Sequence, residues 1–181
     1  RPVRRYPTDL HSYQELIASV RPAHTILIGD DDGLAGRALY LASLADQLDH
    51  GSVVALGSPT DRPEHPRVTW AEGTPEEPGM VQAVRDLVGD LDALIMIGLG
   101  PVQRVIATFD AYAPLVPVGG YVVIENTVVN GRPVASGFGP GPHEAVVQIL
   151  GTRREFVPDV AWERYTITFN KNGYLRRMAP R

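Results

Sequence analysis

At 181 residues, with 44% hydrophobic and 21% charged side chains, the chain has the length and composition of one folded domain, not a disordered segment. A net charge of −4 excludes a surface built to hold nucleic acid or an anionic membrane. Cysteine is absent, which removes disulfides and thiolate metal sites, and no apolar run reaches the length of a membrane span or a secretory signal, so a cytoplasmic protein is expected.

The opening arginines, Arg1, Arg4 and Arg5, are too few for a basic arm and read as a solvated terminus. From Asp9 to Val20, apolar residues at Leu10, Tyr13, Leu16, Ile17 and Val20 keep helical spacing, with Thr8 or Asp9 as cap and Pro22 as stop. Thr25 to Ile28 is a short apolar run of the kind a buried strand requires, ending at Gly29. The turn Asp30-Asp31-Asp32-Gly33 leads into an amphipathic helix from Leu34 to Leu48. Ser52 to Leu56 reads as a strand, Gly57 to Pro66 as a loop, Val68 to Trp70 as a strand, and Pro75 to Val88 as a helix with proline in its first turn. Ala93 to Ile97 is a strand, Val102 to Tyr112 a helix, Tyr121 to Ile124 a strand and His143 to Leu150 a late helix. Arg164 to Asn170 and Tyr174 to Arg177 flank Asn172-Gly173, a hairpin turn signal. This alternation predicts a single α/β domain over 1–181: a doubly wound, mostly parallel Rossmann-like sheet with helices on both faces and a C-terminal antiparallel hairpin.

Ligands of open α/β sheets bind outside the carboxyl ends of the strands. The run Val122-Val123-Ile124 ends there in Glu125-Asn126 and opens into Thr127-Val128-Val129-Asn130-Gly131, with Gly137-Phe138-Gly139-Pro140-Gly141-Pro142 beyond. Glu125 and Asn126 are therefore candidate site residues, and His143, at a helix start facing the same loop, is a candidate general base. The other reading of His143 is a surface residue at a helix start.

With that layout, Pro7-Thr8-Asp9-Leu10, Tyr13-Gln14-Glu15-Leu16-Ile17, His65-Pro66-Arg67-Val68, Tyr112-Ala113-Pro114-Leu115-Val116, the Glu125-Asn126 stretch and Thr168-Phe169-Asn170 resemble the cephalosporin hydroxylase family. That family lies within the class I S-adenosylmethionine-dependent methyltransferases. The resemblance implies a small-molecule O-methyltransferase of bacterial natural-product tailoring, with S-adenosylmethionine held near Gly29, Asp30, Asp31, Gly33, Gly57 and Ser58. Asp30 to Asp32 would supply a carboxylate for the methionine ammonium, or else simply form a solvated turn. Where the family carries acids, this chain has Leu27 before the first glycine turn, Gly57 after the second strand and Ile97 after the fourth, and the acidic pair after the fifth is Glu125-Asn126. One carboxylate and one amide are a poor Mg²⁺ set, so no divalent metal is expected. Two functions remain open: metal-independent methyl transfer with Glu125 orienting or deprotonating the acceptor and Asn126 or His143 assisting, or a non-catalytic homologue serving as a partner subunit or small-molecule binder. A small-molecule ligand and a homo-oligomeric or heteromeric assembly are the expected partners.

Overall fold

The computed structural model of the chain describes residues 2–89, 92–129 and 137–179. Arg1 and the Asn130-Gly131 step lie outside them.

Helix α1 (Pro7–Val20) precedes strand β1 (His24–Ile28), followed by α2 (Leu34–Leu48), β2 (Ser52–Leu56), β3 (Val68–Ala71), α3 (Pro78–Val88), β4 (Ala93–Ile97), α4 (Val102–Tyr112), β5 (Tyr121–Ile124), α5 (Pro142–Thr152), β6 (Phe156–Pro158) and β7 (Tyr174–Arg177). The strands form one sheet in the order β3-β2-β1-β4-β5-β7-β6. Neighbours from β3 through β5 run parallel, and β7 runs antiparallel to both β5 and β6.

Period-two alternation places each strand's side chains on two faces, and both faces are apolar because both are covered. Ile26, Ile28, Ile95, Ile97, Val122 and Ile124 pack against α3, α4 and α5. Leu27, Leu94, Met96 and Val123 face α1 and α2. The doubly wound expectation holds, as does the antiparallel ending. Among the described residues no helix is long and apolar enough to cross a membrane.

The hairpin differs in detail. Arg164 to Asn170 is not a strand; the partner of β7 is the three-residue β6. Segment 164–170 instead spends its polar groups on α1. Thr168 Oγ1 and the Phe169 amide donate to Asp9 at 2.5 and 3.1 Å, and Thr166 bends the chain at φ +70°. Helix α3 starts at Pro78, three residues later than expected, because Glu77, which precedes that proline, is held extended at ψ 133°.

Candidate functional site

Register fixes the site. Ile28 is level with Leu56 and Ile97, and Ile97 with Ile124. The next residues, Gly29, Gly57, Gly98 and Glu125, therefore share the carboxyl edge of the sheet, on either side of the β1/β4 boundary where strand order reverses. The ladder runs one bond further, from Gly98 N to Ile28 O at 2.8 Å and from Glu125 N to Ile97 O at 2.8 Å.

Glu125 is fully buried. Arg5 grips it with Nε on Oε1 at 3.0 Å and Nη2 on Oε2 at 2.6 Å, and the Tyr13 hydroxyl donates to Oε1 at 2.9 Å. Arg37, on the core-facing side of α2, brings Nε to 3.6 Å from Oε2, while its terminal nitrogens fork onto Asp31 at 2.7 and 2.9 Å. Burial alone would push the Glu125 carboxyl up, but the Arg37 and Arg5 guanidiniums and the donors from Arg5 and Tyr13 outweigh it and hold it below its ordinary value. The same burial and the Glu125 charge push the Tyr13 phenol well up, so it stays a neutral donor. Glu125 is thus an ionised acceptor with both oxygens engaged, unlike the lone carboxylate that its sequence position suggests. The opening arginines do not merely solvate a terminus: the Arg5 side chain is only 8% exposed.

Asn126 follows in the left-handed region at φ +60°, a conformation asparagine tolerates better than most residues. Its amide nitrogen donates to Asn170 Oδ1 at 2.9 Å, and Asn170 Nδ2 donates to the Tyr13 hydroxyl at 2.7 Å. The polar edge of β5 is therefore tied to α1 and to the segment before β7.

Two cavities of about 370 Å³ each open beside this cluster and share Arg4, Arg5 and Asn126 as a common wall. One is completed by Tyr6, Pro7 and Phe169, whose aromatic rings stack at 4.5 Å and 22°. The other is completed by Asp31, Asp32 and Leu99.

The sequence candidates divide accordingly. Asn126 and Asp31 line cavities. Gly33 lies beneath, its amide on Asp31 Oδ1 at 2.8 Å, and Gly29 has Arg37 Nη2 at 3.0 Å from where a Cβ would stand. The close approach that glycine permits is thus used by the protein's own guanidinium. Asp30 pairs with Arg104 at 2.5 Å across a crevice of only about 20 Å³ between the ends of β1 and β4. Gly57 is packed so tightly, at φ +146°, that a Cβ would stand 2.0 Å from the Gly29 carbonyl, and Ser58 is exposed beyond it; neither lines a cavity described here. His143 lies half-buried in the first turn of α5, also outside both cavities, where the neighbouring Glu144 accepts from the Gly141 amide at 2.6 Å. Arg4, Arg5, Tyr6 and Phe169 line the cavities without a local mark in the sequence that points to a site. Arg37 carried a readable signal, a charge on the core stripe of α2 between Leu34 and Leu41.

The donors do not suit a divalent ion: Glu125 is engaged, Ile97 points into the α3–α5 core, and among the described residues no three His, Asp or Glu side chains converge. They do suit the cationic end of a sulfonium amino acid. Asp32, 81% exposed at its side chain and, among the described residues, held only by Arg4 at 3.4 Å, faces the second cavity beside Asp31.

The Rhamnosyl O-methyltransferase/CmcI family model matches residues 1–178. The chain is 28% identical over 148 residues to a Rhamnosyl O-methyltransferase of Mycobacterium tuberculosis, covering 77% of this chain and 60% of that protein. It is 28% identical over 183 residues to the Mycobacterium leprae protein of the same name, covering 94% and 78%. It thus spans less than two thirds of the length of the first of these relatives. A solved structure of CmcI with Mg and SAM superposes with a TM-score of 0.70 at 16% identity, over 97% of this chain and 73% of that one, a likeness of fold.

Proposed function

We propose that this chain, which belongs to the Rhamnosyl O-methyltransferase/CmcI family, is a metal-independent O-methyltransferase that tailors small molecules with S-adenosylmethionine. The observation that carries this reading is the pair of cavities meeting at Arg4, Arg5 and Asn126, one faced by carboxylates and one not. Two adjoining cavities can hold two reactants side by side, and transfer between them demands that the reacting atoms come within about 3.5 Å where the cavities adjoin, beside Asn126. When bound, S-adenosylmethionine supplies an electrophilic methyl group. Asp32, the carboxylate on this wall that is open to solvent, would receive the positive charge of its amino-acid end. Asn126 and Arg5 would orient the acceptor in the neighbouring cavity. Glu125 holds Arg5 in this scheme and does not take the acceptor proton, because its oxygens already accept from Arg5 and Tyr13; the acceptor oxygen would gain the methyl group as its proton passes to solvent water at the open mouth of the cavity and the thioether product departs.

A second reading, a small-molecule-binding protein or partner subunit without methyl transfer, is favoured by one observation: the Asp30–Arg104 pair leaves about 20 Å³ where a nucleoside would lie along the β1/β4 crevice. Calorimetric titration with S-adenosylmethionine and S-adenosylhomocysteine decides between them. Saturable one-site binding, weakened by Asp32→Asn, is expected from the first reading. Absence of binding by either compound at millimolar concentration eliminates it and leaves the second.

A further inference from the structure

The two cavities share a wall but differ in charge. Asp31 and Asp32 face one; among the described residues no carboxylate lines the other, which is bounded by Arg4, Arg5, Tyr6, Pro7, Asn126 and Phe169. Arg5 has five N–H groups in a rigid fork. Nε and Nη2 each give one to Glu125, and Nη1 gives one to the Arg4 carbonyl at 3.0 Å. One N–H on each terminal nitrogen is left without a partner among the described residues. Those two remain as donors for the oxygens of a carboxylate or phosphate.

We infer that the Tyr6-side cavity is an oxyanion-recognising acceptor subsite: the remaining N–H groups of Arg5, with Arg4, take a carboxylate, phosphate or sulfate group on a molecule whose apolar ring face lies against Tyr6 and Phe169. Calling the bound molecule an acceptor rests on the methyl-transfer reading; the recognition of an oxyanion does not. Three features build the subsite. Arg5 is pre-organised, since the Glu125 clamp has already removed its rotamer freedom, so little entropy is lost on binding. It is also largely shielded from water, where a charge-assisted hydrogen bond is stronger. Arg4, 60% exposed at its side chain and 3.4 Å from Asp32, exchanges that partner cheaply for an incoming anion. The aromatic wall is fixed as well, because the Phe169 amide is anchored on Asp9 at 3.1 Å. The charge asymmetry also sorts ligands, sending a cationic group toward Asp32 and an anionic one to the other side of the wall.

The test uses the full chain with benzoate and phenyl phosphate as probes, and benzyl alcohol and phenyl glucoside as neutral matches, followed by calorimetry and by the NMR signals of arginine Nε–H groups. The anions should saturate one site at least about tenfold more tightly than the neutral matches, and move the Arg5 signal. Arg4→Ala and Tyr6→Ala, both at exposed positions that leave the buried pair intact, should each weaken the anions about three- to tenfold. Absence of saturable anion binding up to about 50 mM overturns the inference, as does equal affinity for the neutral matches. Shifts confined to Arg104 or Arg164, or affinities indifferent to both variants, overturn it too. No methyl donor is present in these titrations, so their failure and the failure of S-adenosylmethionine to bind register separately.

Discussion

The loops after β5 and β1 stand on the same sheet edge with only β4 between them, and both carry carboxylates paired with arginines. Water separates their fates. Glu125 is fully buried and accepts from two other elements of the chain, whereas the Asp30 and Asp32 side chains are 41% and 81% exposed and each faces one exposed arginine. A buried carboxylate stripped of its partners pays a desolvation penalty that nothing else repays; an exposed one exchanges a guanidinium for water at little net cost. Similar residues at neighbouring strand ends therefore do different work. The β5 end is architecture that fixes Arg5, and the β1 loop leaves the Asp30 and Asp32 carboxylates open to solvent.

The most severe way to break this contrast is to neutralise Glu125. Glu125→Gln leaves Arg5 and part of Arg37 buried without a counter-charge and should cost about 3–5 kcal/mol in urea unfolding. A loss below about 1 kcal/mol would mean that the cluster is solvated like the β1 loop, and the comparison would collapse. Next in size is Asn170→Ala. That side chain serves the Asn126 amide, the Tyr13 hydroxyl and, at 3.3 Å, the Tyr174 hydroxyl, so the deletion orphans buried groups and should cost about 1–3 kcal/mol. An unchanged unfolding midpoint would show that water replaces the amide.

A third prediction sharpens the contrast through pH. Glu125 is held below its ordinary value of 4.5 in the folded chain, so the unfolded chain binds more protons as pH falls. Its contribution to stability is complete above about 4.5 and drains away as pH drops through the lowered folded value. Asp9 is the opposite case. Burial raises it above 3.8 despite the Thr168 and Phe169 donors, so its contribution is complete below 3.8 and is lost as pH rises through the raised folded value. The cost of Asp9→Asn should therefore shrink between about pH 3 and pH 7, while the cost of Glu125→Gln grows over the same range. Parallel profiles for the two variants would remove the distinction between an arginine-clamped carboxylate and one held by neutral donors.

The sheet was legible because its parallel strands are buried on both faces and so stand out as apolar runs between glycine-rich turns. The segment 164–170 was not, because Tyr165, Ile167 and Phe169 alternate with polar residues as a half-buried strand would, yet Ile167 is 58% exposed and the polar groups are used by Asp9. The true partner of β7 has three residues and ends in proline, too little pattern to read. At the site, Glu125 and Asn126 were legible from their place after an apolar run. Arg5 was not, since its partner lies 120 residues away and nothing local marks an arginine that will be buried. Arg37 could have been found: a charge on the apolar stripe of α2 demands counter-charges, and folding brings Asp31, six residues before it, and the fully buried Glu125.

The smallest expected effect tests the exposed half of the comparison. Arg104 is 39% exposed at its side chain and bridges Asp30 at 2.5 Å and Glu76 at 3.4 Å over the narrow β1/β4 crevice. Each contact is reached by solvent, so Arg104→Ala should cost no more than about 1 kcal/mol, and that cost should fall further in high salt. Its consequence for binding should be larger than its consequence for folding, because the pair rather than the apolar core is what closes the crevice. If S-adenosylhomocysteine binds, the variant should bind it several-fold more tightly, having lost the competitor for Asp30. A variant that loses several kcal/mol of stability, with affinity unchanged, would place Asp30–Arg104 beside Arg5–Glu125 as architecture and erase the difference between the two strand ends.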